Sequence, residues 1–282
     1  MKHGLVRLVG NSPMGCVGEQ RTLVCSSMVI ISERVAALRA MAHDGEAEAA
    51  REYGRLMGLL PDAALAEDEP VWAGEPWLRA AVAARPDDTL ARTLLGSLLV
   101  TQIATWRNIA AIAPDADEGE IEAANTRRRE EAEELLGGVL QVDPEAPTPK
   151  ACLAALAEVF GEGDYPEDED GLFPYDYHLV QTELWSGSVC TTLRLVITDP
   201  EELRWACDYW LANHDDLVGP LTLTSYSRGE EIGAMALVEG SARTVDWEAV
   251  TIPPLTGVPL PPGHPAPHLR AYYGFTMEVG AG

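Results

Sequence analysis

Apolar residues recur at helical spacing along the first half of the chain and alternate along much of the second, with the change near residue 171. Twice in the first half, a small residue is followed by a bulky one four positions on, an apolar one three later and Pro five later. The sets are Ala49, Tyr53, Leu56, Pro61 and Ala132, Leu136, Val139, Pro144, with a weaker copy at Leu78, Ala81, Pro86. Residues three and four apart share one helix face, and Pro ends the helix because it lacks the amide the next turn needs. Upstream, Ser32 reads as an N-cap, Val35, Leu38 and Met41 mark one face, and Asp44-Gly45 breaks the chain before the first set. Ala37 lies 12 residues before Ala49, and small side chains at both positions would let paired helices approach closely where they cross. A further helix opens at Glu75-Pro76-Trp77 and stops at the turn Arg85-Pro86-Asp87-Asp88. The next runs from Thr89 to about Arg107 and carries Leu95-Gly96 and Leu99.

The punctuation of these segments resembles the tetratricopeptide family, in which helix pairs stack and leave a groove. The resemblance covers about residues 30–160 and implies an N-terminal helical repeat within a multidomain α+β protein. It places Thr93, Ser97 and Thr101 on the concave face, where small hydroxyls let a peptide backbone approach and offer it hydrogen bonds. One interval departs from the pattern: Gly96 precedes Ala132 by 36 residues where 12 are expected. The excess reads as an insertion near 108–131, shaped as an extended helical hairpin. A last helix, Pro149 to Phe160, turns Leu153, Leu156, Val159 and Phe160 inward.

Residues 161–171 read as an acidic linker between a helical domain at 28–160 and a domain at 172–282, and residues 1–27 as a loose extension. In the second domain, Tyr177–Trp185 and Val189–Thr198 flank Ser186-Gly187-Ser188 and predict a β-hairpin. Asp199-Pro200-Glu201-Glu202 opens a helix that buries Leu203, Ala206, Cys207, Trp210 and Leu211. Strands follow at Leu221–Tyr226, Ile232–Val238 and His268–Val279, the last preceded by a Pro-rich loop from Ile252 to Pro267. The expectation is a small antiparallel α+β domain.

Charge changes the picture. Twenty Lys plus Arg stand against 45 Asp plus Glu, a net −25 that disfavours nucleic acid or an anionic membrane as partner and favours a basic protein or peptide. Lys2 and Lys150 are the two lysines, a bias that with abundant Ala, Gly, Arg and Pro suggests a high-GC bacterial genome. Five scattered cysteines include no C-x-x-C pair, which points to a reducing cytoplasm. Cys16 after Pro13-Met14-Gly15 mimics a lipoprotein signal, but Arg7, Gly10 and Asn11 interrupt the stretch before it.

Candidate chemistry is sparse. The acids Glu167 to Asp170 fail the calcium-loop spacing, since Pro166 and Tyr177 fall on ligand positions. Prolines keep His264 and His268 off a shared helix face, so this segment reads as an exposed loop. No G-x-S-x-G turn or phosphate loop is present, and no cofactor or metal is expected. Trp205 and Tyr209, four apart on one short helix, form a candidate contact surface. Tyr272, Tyr273 and Phe275 read as core of the last strand. The composite expectation is a non-enzymatic protein- or peptide-binding module. Its rivals are a neutralising partner of a basic effector and an enzyme built around His178 and His214.

Overall fold

A computed structural model describes residues 33–58, 74–112, 118–162, 174–186, 189–213, 220–238 and 242–265. Among them are seven helices and a small, mostly antiparallel sheet, an α+β arrangement.

Helix α1 covers 33–43 and α2 Ala47–Met57. The chain reverses at Gly45, whose φ of +89° is a left-handed conformation that glycine adopts without strain. Ser32, the expected cap, lies outside the described residues. Two inward positions differ from the pattern. Met41 is exposed and Ala42 is buried in its place, because Ala42 meets Ala49, Ala50, Ala81 and Ala91 in a seam of small side chains. Ala37 is exposed rather than at the crossing.

Helix α3, Gly74–Ala84, lies antiparallel to α2 at very close range. A Cβ on Gly74 would stand 2.5 Å from the Gly54 carbonyl oxygen, and one on Gly54 would stand 2.8 Å from Leu78 Cγ. Helix α4, Thr89–Ile112, begins at Asp88, whose carboxylate accepts from the Ala91 amide at 3.0 Å and from Arg51 at 2.6 Å. Burial opposes the charge there, yet those partners hold the Asp88 carboxyl below its ordinary value.

Helix α5, Glu118–Val142, returns antiparallel along α4. Gly138 lies under the Arg92 guanidinium, Gly96 lies under Leu136, and Arg128 donates to Gln102, so one number rises as the other falls. These two paired helices, of 24 and 25 residues, are the longest among the described residues. Gly96 is needed there, since a Cβ would meet Leu136 Cγ at 2.7 Å. Helix α6, Pro147–Val159, closes this group by burying Cys152 and Leu156 with Leu95, Leu99 and Ile103.

The sheet runs β2–β1–β3–β4. Strands β1, Tyr175–Ser186, and β2, Val189–Ile197, form the expected hairpin with Leu179 opposite Val196. Strand β3, Leu221–Ser227, lies on the other side of β1 and pairs with β4, Glu230–Val238. Strand β5, Val258–Pro259, comes from the Pro-rich segment and joins the start of β1 in parallel. The strand expected at 268–279 lies outside the described residues.

Helix α7, Pro200–Asn213, starts where Asp199 accepts from the amides of Glu201 at 2.8 Å and Glu202 at 3.4 Å. Its expected inward face is buried, from Leu203 to Leu211. That face packs on Val180, Leu195, Ile197, Leu221 and Leu223 of the sheet, and also on Tyr53, Leu56 and Met57 of α2. Burying a side chain of that size stabilises by about 2 kcal/mol, so the helical and sheet halves are joined by a shared apolar cluster.

Candidate functional site

All three hydroxyls expected on the concave face donate to backbone carbonyls of this chain. Thr93 is buried and donates to the Thr89 carbonyl at 2.8 Å, while Thr101 donates to the Ser97 carbonyl at 3.1 Å. Both follow from helix geometry, which brings a β-hydroxyl close to the carbonyl four residues back. Ser97 faces outward from α4 and does bond a peptide carbonyl, but the carbonyl belongs to Gly263 of this chain, 2.6 Å away.

Gly263 sits at the corner of a tight turn. The His264 amide donates to the Pro261 carbonyl at 3.1 Å, with Pro262 and Gly263 between them and Gly263 at φ +76°. A Pro followed by a residue of positive φ at the two central positions defines a type II turn. Its tip rests on α4 and α6: the Gly263 carbonyl also accepts from the Cys152 thiol at 3.4 Å. Burial pushes that thiol up to about 12, against the opposing influence of the neighbouring Ser97 hydroxyl. His264, expected in an exposed loop, is buried instead, with its ring edge-on to Tyr175 at 5.0 Å. Burial holds it neutral and lowers its pKa to about 4.

The stretch leading to this turn is held at its base by Asp176. Its carboxylate accepts from the amides of Gly257 at 2.5 Å and Thr256 at 3.1 Å and from the Ser227 hydroxyl at 2.9 Å. Burial works against the charge, but these donors and the Arg228 amide keep the carboxyl below its ordinary value. The Leu260 amide donates to the Asp176 carbonyl at 3.0 Å. Leu260 then packs with Tyr177, Leu179, Tyr175, Val196 and Tyr226 on the sheet face away from α7. The rings of Tyr177 and Tyr226 stack with centroids 5.1 Å apart because the two residues are directly paired across β1 and β3.

The aromatic pair on α7 is not a free contact surface. Trp205 is buried in the main core, and Tyr209 packs partly buried beside it with ring centroids 6.3 Å apart. Both join the apolar cluster shared by α2, α7 and the sheet, so the same four-residue spacing that aligns them also sinks them. His178, one of the groups considered for catalysis, lies in the sheet interior with Nδ1 2.9 Å from Ser225 Oγ. Burial lowers its pKa to about 4. His214, the acids at 167–170 and the aromatic residues at 272–275 lie outside the described residues. Among the described residues no group of three or more His, Cys, Asp or Glu converges as a metal site, and no helix is long and apolar enough to cross a membrane.

Three elements were legible in the sequence: Ser97, the Pro-rich segment and the first strand of the hairpin. Their meeting was not, since nothing in the spacing relates residue 97 to residue 263. Comparison of the chain with protein-family models, with curated proteins and with solved structures finds no match.

Proposed function

We propose that this chain is a non-enzymatic protein- or peptide-binding module whose acidic exterior receives a basic partner in a bacterial cytoplasm. The helical half serves as a tetratricopeptide-like scaffold in this reading. One observation carries it: many of the cations among the described residues are engaged by the chain's own acids. Arg34 and Arg55 pair with Glu52, Arg51 with Asp88, Arg79 with Glu131, Arg129 with Glu162 and Lys150 with Glu145. Glu46, Glu122, Glu130, Glu134, Glu230 and Glu248 are exposed and face solvent. With a net −25 behind them, they set up a field that steers cationic surfaces inward and weakens as salt rises.

Affinity capture from a bacterial cytoplasm at low and at high salt tests this reading. Basic proteins retained at low salt and shed at high salt support it. A single basic protein held tightly marks the chain as a neutralising partner, and several held weakly mark it as a scaffold. Retention of acidic or neutral proteins alone, insensitive to salt, overturns it.

A further inference from the structure

Residues 252–265 contain six prolines and no charged side chain, in a chain where 23% of residues are charged. Such a proline-rich segment has little conformational freedom to lose. From Ile252 to Gly263 the one buried side chain is Leu260, and the next buried residue is His264. The segment is thus a strap laid on the surface. Its fixed points are the Asp176 clamp, Leu260 on the tyrosine face and the Gly263 carbonyl on Ser97.

The surface beneath the strap has the chemistry of a peptide receptor. Tyr175, Tyr177 and Tyr226 offer flat rings against Leu260, and Ser97 offers a hydroxyl donor to a backbone carbonyl. Aromatic-lined grooves with a few hydrogen-bond donors are how extended proline-rich segments are recognised. We propose that the tyrosine face of the sheet and the α4–α6 shelf form a binding site for a neutral, proline-rich peptide segment, occupied in cis by residues 258–264. This rests on the peptide-binding reading above but names a different surface and a different ligand. The tethered strap competes at high effective concentration, so a partner segment binds in proportion to the fraction of molecules whose strap is open. The strap is therefore an autoinhibitory ligand.

The test uses the full chain and a fluorescent acetylated octapeptide of the strap sequence, Val-Pro-Leu-Pro-Pro-Gly-His-Pro, as probe. Leu260→Ala removes the strap's anchor and leaves the receptor intact. Gly257→Ala, whose Cβ would stand 2.6 Å from Asp176 Oδ1, loosens the base independently and serves if the first variant does not fold. Each opened variant is expected to bind the probe at least about tenfold tighter than the parent chain, with no dependence on salt. Adding Ser97→Ala is expected to cost the opened variant about fivefold in affinity. Equal probe affinity in parent and opened variants, or indifference to Ser97→Ala, overturns the site. Loss of peptide binding alongside salt-sensitive capture of a basic protein discards this site alone, and peptide binding without such capture discards the acidic-surface reading alone.

Discussion

Arg55 on α2 grips Glu202 on α7 with two hydrogen bonds, of 2.6 and 3.1 Å, across 147 positions of sequence. Two further hydrogen bonds from the same guanidinium go to Glu52, and Arg55 is thus a polar tie between the helical and sheet halves. Burial opposes its charge, but both carboxylates hold it above its ordinary pKa. Arg55→Ala leaves Glu202 buried with its main partner gone, at a cost of about 2–4 kcal/mol. Arg55→Met with Glu202→Leu is expected to restore most of that loss, as apolar replacements of buried pairs commonly do. Urea unfolding of the four proteins in the cycle measures it. Because the apolar cluster spans both halves, fluorescence and far-ultraviolet circular dichroism are expected to report one transition. Two separated transitions would refute the shared core.

The glycines of the helical half separate by environment. Gly74→Ala drives a methyl into the Gly54 carbonyl and is expected to cost about 2 kcal/mol or more. Gly137, also within a helix, has open space where a methyl would stand, with nothing within 4 Å, so Gly137→Ala is expected to stabilise by about 0.5–1 kcal/mol. Melting temperatures of the two variants should move in opposite directions.

Stability depends on pH through two buried imidazoles. His178 and His264 each fall from 6.5 to about 4 on folding. Between those values the unfolded chain binds protons that the folded chain refuses, so stability rises with pH across that window. The full contribution is present above about pH 6.5 and is lost as pH falls toward 4, by at most about 3 kcal/mol for each imidazole. Glu52 and Asp176, held below their ordinary values, add a second loss at still lower pH. Urea midpoints at pH 7 and 4.5 should differ less in His178→Gln than in the parent chain; an unchanged difference would rule out His178 as a source.

Cys152 and Cys207 are buried, and burial raises both thiols, Cys152 to about 12. A thiol reagent is expected to label these two residues at the rate of unfolding, with peptide mass spectrometry assigning the sites. Ser97→Ala is expected to speed labelling of Cys152 alone, because it frees the strap tip that covers the thiol. Fast labelling of Cys207 in the folded protein would contradict its place in the core.

Much of the local structure is legible in the chain because it depends on neighbours a few positions apart. Asp199 before Pro200 caps α7, Asp88 caps α4, Gly45 reverses the chain, and alternation places β1 opposite β2. Helical spacing also identifies the buried face of α7 from Leu203 to Leu211. The same spacing misassigns Ala37 and Met41, since it gives the orientation of a face and not the side of the neighbour that will cover it.

Sequence alone thus determined where the helices and strands β1 to β4 lie, the α+β class and the acidic charge, all of which follow from local backbone preference or composition. Tertiary structure decided what each exposed-looking group touches. It buried Trp205 in the shared apolar core, joined Arg55 to Glu202, and set the Gly263 carbonyl on the Ser97 hydroxyl of α4. The last two contacts join residues more than a hundred positions apart, and no periodicity along the chain encodes which distant surface will arrive.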